Sequence, residues 1–264
     1  MLKKFGTILK HVWSVKMVNI KSKEELEIMR KVNRLLAGVR ETLKEMVKPG
    51  VTTLELDKKA EAMIREKGAV PAFKGYHGFP STLCTSINEE VVHGIPSNRV
   101  LEEGDVLGMD MGAILNGFYA DTAVTCMVGK VSLEAQKLLK TTEESLYRGI
   151  DQARPGGRLN DIGAAVQKCV EKEGYSVVRE FVGHGIGKQL HEDPQVPNYG
   201  IAGTGMMLKV GMVLAIEPMV NIGGPKVNIL DDGWTAVTED GSLSAHFEHT
   251  VAITENGPEI LTQV

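Results

Sequence analysis

Two aspartates that could do chemistry, Asp110 and Asp121, lie in the apolar stretch GDVLGMDMGAILNGFYAD. Asn116-Gly117 lies between them, and this dipeptide between apolar runs predicts a two-residue hairpin with a type I′ turn. Pairing across the turn puts Gly112 opposite Asp121, so the two aspartates share a face, roughly 7–8 Å apart at the backbone. Two buried acids are costly unless a cation lies between them, which suggests a metal site. Solvent-facing acids on an edge hairpin explain the pair equally well at this point.

A second copy of this stretch supplies a third acid. LEEGDVLGMDM matches LKVGMVLAIEP at a shift of 107 residues, which aligns Asp110 with Glu217. Further upstream, KPGVTTLELDKKAEAMIREKG matches RPGGRLNDIGAAVQKCVEKEG at a shift of 106. We interpret the pattern as an internal duplication, with half-repeats at about 21–130 and 131–254 in one pseudo-symmetric domain. Each half then offers an acid from the same strand, which makes a shared metal centre the favoured hypothesis.

A fourth acid completes the predicted set. Glu248 precedes the apolar run HTVAIT as Asp121 precedes TAVTCMV. The predicted ligands are a histidine from a glycine-rich loop and four acids, Asp110, Asp121, Glu217 and Glu248. Four carboxylates around one point cannot all stay ionised without cations. The set suits two divalent ions that share carboxylates and a water, which would supply a hydrolytic nucleophile. Manganese, iron, cobalt and zinc all fit such oxygen-rich ligation with one nitrogen.

Three histidines in loops that contain glycine are candidates for the same site. His184 lies in GHGIG, His191 follows seven residues later, and His93 lies in VVHGIP. Any one of them alone is more often an ordinary surface or core histidine. Together they favour a functional role for some of the group. His77 aligns with His184 by the repeat but lacks a supporting motif, so we leave it outside the predicted ligand set.

Helix caps and glycine content predict the elements that must position these residues. Capping boxes at Ser22 and Thr52 predict the starts of two helices. Ser132 and Asn160 predict the N-caps of two more. The Gly- and Pro-rich segment 183–200 predicts a loop. Strands are predicted at 177–182, 212–220 and 246–254.

Composition argues against several classes of function. The chain has 264 residues, 42% of them hydrophobic, and a net charge of −4. This length supports a well-buried core, and the charge gives no reason to expect DNA or RNA as the main ligand. Cys84, Cys126 and Cys169 lack CxxC spacing and predict reduced thiols in the cytoplasm. No apolar run approaches the roughly 18 residues needed to cross a bilayer.

The first 20 residues are basic and partly apolar. Lys10 and His11 interrupt the apolar run before it reaches the length of a signal peptide. We therefore expect a flexible arm at 1–20, or a surplus start upstream of Met17, followed by one catalytic domain at 21–264. An arm that contacts a membrane surface or the ribosome is the less favoured interpretation.

Several short motifs form a more specific pattern together than any one of them alone. They are HGIP (93–96), the Asp110 and Asp121 pair, GHGIG (183–187), HEDPQVPNYG (191–200), AIEPMV (215–220), DGW (232–234) and SAHFEHT (244–250). This combination closely resembles the type I methionine aminopeptidases over about residues 20–262. The resemblance implies an α+β pita-bread fold, with two pseudo-symmetric halves of antiparallel strands and helices packed on one side. It also implies removal of the N-terminal methionine from nascent polypeptides whose second residue is small.

The resemblance also implies a role for each predicted ligand. Asp110 would bind one of two divalent ions through both carboxylate oxygens. Asp121 and Glu248 would bridge the two ions. His184 and Glu217 would complete the ligand set of the other ion.

Substrate contacts follow from the same resemblance. His191 would lie near the scissile carbonyl and His93 near the scissile nitrogen. Glu217 is our hypothesis for the proton shuttle, because an acid beside the attacking water can take its proton. A methionine pocket needs apolar, polarizable walls. By position in the family pattern its residues are Phe73, Tyr76, Phe79, Cys84, Leu190 and Trp234.

Two alternatives remain open from the sequence. An X-Pro aminopeptidase or prolidase would share the fold and ligand types, but such enzymes usually carry a further N-terminal domain for which this chain has no room. A non-catalytic pita-bread protein that binds RNA or other proteins would have lost ligands, and all five are present. The expected partners are nascent polypeptide N-termini, with the ribosome as a further candidate. We expect no DNA or membrane partner, and a monomer.

Overall fold

The structure is a computed structural model that describes residues 18–264. Residues 1–17, which make up most of the predicted N-terminal arm, lie outside the described residues. Within the described range, no helix is both long enough and apolar enough to span a membrane.

The described chain has four α-helices and a short 3₁₀ helix at Tyr76–Gly78. Two of the predicted capping boxes are present, since Ser22 and Thr52 each accept from the backbone N–H three residues on, and a glutamate there reaches back. Ser132 caps the third helix, as predicted, by accepting from the Ala135 N–H at 3.0 Å. The helices are α1 (Lys23–Met46), α2 (Thr53–Glu66), α3 (Leu133–Ile150) and α4 (Leu159–Lys172).

The predicted cap of α4 at Asn160 is wrong. The helix begins at Leu159 after Arg158, whose N–H donates to the carboxylate of Asp161 at 2.8 Å. The Asn160 amide instead donates to the hydroxyl of Thr204 at 2.9 Å, outside the helix. The acid at the third helical position thus supplies the acceptor at the helix start, which leaves the asparagine free to hold a neighbouring loop.

The first half of the chain forms a sheet around the predicted hairpin. The strands of this half are β1 (Val70–Pro71), β2 (Leu83–Ile87), β3 (Glu90–Val92), β4 (Val106–Leu115) and β5 (Phe118–Met127). Of these, β3 belongs to a different sheet. The register of β4 with β5 is the predicted one, with Gly112 opposite Asp121. Asn116 and Gly117 both have positive φ, 51° and 78°, as a type I′ turn requires. Strand β4 also pairs with β1 and β2.

The second half contributes ten strands. They are β6 (Ser176–Val177), β7 (Gly183–Gly185), β8 (Glu192–Val196), β9 (Val213–Ile216), β10 (Met219–Asn221), β11 (Val227–Ile229), β12 (Ala236–Thr238), β13 (Ser244–His246), β14 (His249–Thr254) and β15 (Gly257–Ile260). One sheet has the order β15-β14-β9-β7-β8, and two three-stranded sheets have the orders β13-β10-β6 and β11-β12-β3.

The predicted loop at 183–200 is wrong, because it contains β7 and β8. Its glycines allow close strand pairing here rather than a turn. A Cβ at Gly183 would clash with the carbonyl oxygen of Ala215, and one at Gly185 would clash with that of Asp193. The strand predicted at 177–182 is also wrong, since β6 ends at Val177.

The other two predicted strands are each interrupted in the middle. The 212–220 segment divides into β9 and β10 around Glu217-Pro218, and the 246–254 segment divides into β13 and β14 around Phe247-Glu248. Both predicted glutamate ligands therefore lie where a strand is broken. Such breaks release a side chain from the regular alternation of a strand and aim it into a cavity.

The helices pack on the sheets in a similar way in both halves. Helix α1 contacts β4 and β5, and α3 contacts β10 and β13. One core cluster contains residues from all four helices, among them Leu36, Leu56, Leu138 and Ile162. In the sequence repeat, α2 corresponds to α4 and β4 corresponds to β9. Each half therefore has two helices followed by strands around the aligned acid.

Candidate metal centre and substrate cavity

Every residue that the sequence assigned to the site lines one cavity of about 270 Å³. Acids and histidines lie together with aromatic and aliphatic side chains. The lining residues are Phe73, Tyr76, His77, Phe79, Cys84, His93, Asp110, Asp121, His184, Leu190, His191, Glu217, Trp234 and Glu248. Residues that are far apart in the sequence thus meet in one place, with an acidic part and an apolar part.

The acidic part is a compact cluster around His184. Its Nε2 lies 3.8 Å from Oδ2 of Asp121 and 3.5 Å from Oε1 of Glu217. Ligand atoms of Asp121, His184 and Glu248 all lie within 4.8 Å of one another. Asp110 also contacts the Asp121 carboxyl group. This spacing is short enough for one ion to contact atoms from several of these residues.

The ring of His184 is held in one orientation. Its Nδ1 lies 2.9 Å from the carbonyl oxygen of Gly185, so Nδ1 must donate and Nε2 carries the lone pair that faces the acids. Burial lowers the pKa of His184 to about 3. A neutral imidazole with a free Nε2 is the form that binds a metal ion.

Threonine hydroxyls fix Asp121 and Glu248 relative to each other. The Thr122 hydroxyl donates to the Glu248 carbonyl at 2.9 Å, and the Thr250 hydroxyl donates to the Asp121 carbonyl at 2.8 Å. The buried guanidinium of Arg40 donates to the Thr122 oxygen at 2.8 Å. The two threonine bonds join the two halves of the chain at the cluster, although β5 and β14 form no ladder with each other.

The buried acids need a cation to stay charged. Burial raises the pKa of Asp110 to about 7 and that of Glu217 to about 8, and it raises the pKa values of Asp121 and Glu248 well above their ordinary range. Among the described residues, Oδ1 of Asp110, Oδ1 of Asp121 and Oε1 of Glu248 have no hydrogen-bond partner. Unpartnered buried carboxylate oxygens beside a neutral imidazole fit a divalent metal site.

These pKa values predict how stability depends on pH. Without metal, Asp110 and Glu217 hold protons in the folded state up to about pH 7 and about pH 8, whereas unfolded carboxyls release them near pH 4. The folded state then binds more protons than the unfolded state across this window, so stability falls as pH rises through it.

We expect the melting temperature of chelator-treated protein to fall by on the order of 5 to 10 °C from pH 5 to pH 8. Added Mn²⁺ should raise it most at pH 8, because ligands must be deprotonated. Thermal melts at both pH values test this, and a larger metal effect at pH 5 would contradict it.

The two predicted substrate histidines lie at the edge of the cluster. His93 has φ of 63°, a strained left-handed conformation that is common at functional sites, and its ring packs edge-on against Phe181. Burial lowers the pKa of His93 to about 4, so it is neutral near pH 7. His191 is exposed, and its Nδ1 lies 2.7 Å from the hydroxyl of Tyr76. The ring of His191 also lies edge-on to that of His184, with centroids 4.3 Å apart.

Apolar side chains form the other part of the cavity. Phe73, Phe79, Cys84 and Leu190 are buried and belong to one core cluster, against which Trp234 packs. The rings of Phe79 and Trp234 meet edge-on with centroids 5.2 Å apart. A pocket of aromatic, sulfur and aliphatic groups next to the acids suits an unbranched apolar side chain such as methionine.

One buried residue of the site was missed by the sequence reasoning. Nε2 of His246 lies 3.6 Å from Oε2 of Glu217 and, among the described residues, has no hydrogen-bond partner. His246 lies in the SAHFEHT motif, but its position at the end of β13 gave no sign of where its ring points. His77, left outside the ligand set, lines the cavity and packs against Tyr76.

Comparison with known proteins defines the class to which this site belongs. A model of metallopeptidase family M24 matches residues 27–255. The chain therefore belongs to metallopeptidase family M24, and the predicted pita-bread fold is confirmed.

Individual relatives show where the chain belongs within this family. Methionine aminopeptidase 1 of Bacillus subtilis is 55% identical over 248 residues, which cover 94% of this chain and 100% of the relative. The crystal structure of methionine aminopeptidase from Thermotoga maritima is 46% identical with a TM-score of 0.93, and the match covers 94% of this chain and 100% of that one. Prolidase from Pyrococcus furiosus is more distant, at 26% identity and a TM-score of 0.73 over 65% of its chain. Within family M24 the chain thus groups with the methionine aminopeptidases.

Proposed function

We infer that this protein is a methionine aminopeptidase, a metallo-exopeptidase that removes the N-terminal methionine from polypeptides whose second residue is small. The observation that carries this inference is the cavity itself, in which the acid and histidine cluster adjoins an apolar pocket. The acidic part can hold metal for hydrolysis, and the apolar part can hold one methionine side chain. The relatives that match nearly the full chain bear the same name.

For the metal centre, we propose two divalent ions, of cobalt, manganese, iron or zinc. Asp110, Asp121, His184, Glu217 and Glu248 would hold these ions. The unpartnered carboxylate oxygens and the neutral imidazole support this assignment. When bound, such ions polarise the scissile carbonyl and make a water acidic enough to attack it at neutral pH.

The chain's own groups then guide protons and charge. Glu217 takes a proton from the attacking water and passes it to the leaving nitrogen, so that the C–N bond breaks with release of methionine and a free N-terminus. His191 donates a hydrogen bond to the oxygen that becomes negative as the water adds. His93 lies beside the scissile nitrogen. The six pocket residues Phe73, Tyr76, Phe79, Cys84, Leu190 and Trp234 hold the methionine side chain.

The experiment that tests this function compares two peptide classes. With Mn²⁺ or Co²⁺, we expect turnover of Met-Ala-Ser, no turnover of X-Pro peptides, and loss of activity with a chelator. The prolidase of Pyrococcus furiosus shares the fold, so the X-Pro peptides are the informative control. Cleavage of X-Pro peptides alone would overturn the proposal. Binding of RNA or protein without any hydrolysis would favour the non-catalytic alternative.

Partners and organisation remain part of the proposal. We propose that the substrates are nascent polypeptide N-termini, met in the cytoplasm by a monomer that has the ribosome as a candidate contact. The free state of Cys84, Cys126 and Cys169 is consistent with a reducing compartment. We also propose that residues 21–264 form one catalytic domain preceded by the basic arm.

A further inference from the structure

A buried ion pair lies behind the loop that carries His191. Nζ of Lys21 is 2.7 Å from Oε2 of Glu192, and their side chains are only 5% and 4% exposed. Burying two charges costs free energy, and apolar replacements of similar volume are often as stable. Stability alone therefore gives little reason for this pair, and its geometry suggests another use.

The second carboxylate oxygen of Glu192 holds the loop backbone. Oε1 accepts from the N–H of Lys188 at 2.7 Å and from the N–H of Gln189 at 3.2 Å. The next two residues, Leu190 and His191, line the cavity. One carboxylate thus connects a buried ammonium group to the backbone directly before two residues of the site.

Lys21 is itself fixed from several sides. Its backbone N–H donates to the carbonyl of Gly211 at 2.8 Å. Its side chain fills the space next to Gly187, where a Cβ would lie 2.8 Å from Nζ of Lys21 and from Oε1 of Glu192. The loop therefore packs directly on Lys21 at Gly187, which has no side chain to keep the two apart, and it also contacts Lys21 through Glu192.

The start of the loop is anchored separately by the main chain. The Ile186 N–H donates to the carbonyl of Val213 at 3.1 Å, and the Tyr119 N–H donates to the carbonyl of Gly187 at 2.8 Å. Beyond Gly187 the main chain adds a bond within the loop, from the Gly187 N–H to the Gln189 carbonyl at 3.2 Å. The next two backbone N–H groups are the ones that Glu192 accepts from, so its carboxylate continues the anchoring toward the cavity.

We propose that Lys21 and Glu192 are positioning residues for Leu190 and His191. Glu192 fixes the backbone of the loop, and Lys21 compensates the charge of the buried carboxylate. The inference rests on the proposed function, because His191 matters only if the peptide carbonyl is positioned beside it. The exposed side chain of Lys188, in the same loop, pairs with the half-buried Glu25 of α1, and this ion pair serves as a matched control.

The first test replaces both charges together, so that no buried charge is left unpaired. Lys21→Met with Glu192→Leu removes the acceptor of the two loop N–H groups. We expect kcat/KM for Met-Ala-Ser to fall by on the order of 10-fold to 100-fold. Displacement of Leu190 should raise KM, and displacement of His191 should lower kcat. Metal content should be unchanged. Lys21→Met with Glu192→Gln keeps an amide oxygen for the loop and should recover most of the loss, and Lys188→Ala should match the wild type.

The second test does not depend on a variant that folds. Hydrogen exchange in the wild-type protein should show the amides of Lys188 and Gln189 as strongly protected as those of neighbouring strands. Exchange at the rate of an open loop would overturn the inference, as would wild-type kcat/KM in the Met and Leu double variant or no recovery with Gln. A wild-type protein that does not cleave Met-Ala-Ser at all would overturn the proposed function instead.

Discussion

Replacing Glu217 with glutamine is expected to lower kcat by about 10²-fold to 10⁴-fold. Glutamine keeps the shape of the side chain and an oxygen that can face a metal, but it cannot accept a proton. Glu217 lies at the break between β9 and β10, 3.5 Å from His184, with the amide of Asn198 donating to its carbonyl at 3.0 Å. The backbone should therefore hold the substituted side chain in place, so that the loss reports on proton transfer.

Metal content decides how the Glu217→Gln result is interpreted. Steady-state kinetics on Met-Ala-Ser should be measured with elemental analysis of the same sample. Glu259→Gln, which removes one partner of an ion pair with Arg30 outside the cavity, is the matched control and should keep normal turnover. Unchanged turnover of Glu217→Gln at full metal occupancy would discard the proton-shuttle role, and the acid would then be a ligand only.

Replacing His191 with alanine is expected to lower kcat by about 10²-fold to 10³-fold, with a smaller change in KM. The hydroxyl of Tyr76, 2.7 Å from Nδ1, holds the ring of His191, which lines the cavity. A donor aimed at the oxygen that becomes negative stabilises the transition state more than the bound substrate, so its loss appears in kcat.

The alanine variant of His191 should be compared with His191→Gln, which restores one N–H donor. Partial recovery of kcat in the glutamine variant would support hydrogen bonding to the oxygen. A rise in KM alone, with kcat unchanged, would contradict the role and make His191 a residue that only binds the substrate. The metal content of both variants should equal that of the wild type, because His191 lies outside the proposed ligand set.

Local interactions determined the features that were predicted most accurately from the sequence. Asn116-Gly117 determined the turn, the turn determined the register of β4 with β5, and the register placed Asp121 opposite Gly112. The capping boxes at Ser22 and Thr52 are equally local, since each acts over three residues. At Asn160 the same reasoning was wrong, because an acid one residue further on competed for the helix start.

The residues that line the cavity could also be predicted from sequence. The duplication aligned Asp110 with Glu217, the loop motifs supplied the histidines, and the family resemblance implied the pocket residues. All of these residues line one cavity. Residue type limits chemistry whatever the fold, because carboxylates and imidazoles are the groups that bind divalent ions. The sequence thus predicted which groups line the cavity, and their roles stay a prediction.

Only the tertiary structure decided how those groups are held. The strand breaks at Glu217 and Glu248 appear only in the structure. The threonine bonds between the halves, the contact of His246 with Glu217 and the buried pair of Lys21 with Glu192 each join residues that are far apart in the chain. No local propensity encodes such contacts, since they depend on which distant surfaces are brought together and lose their water. The same burial raises the pKa values of the acids and thereby makes the cluster depend on a cation.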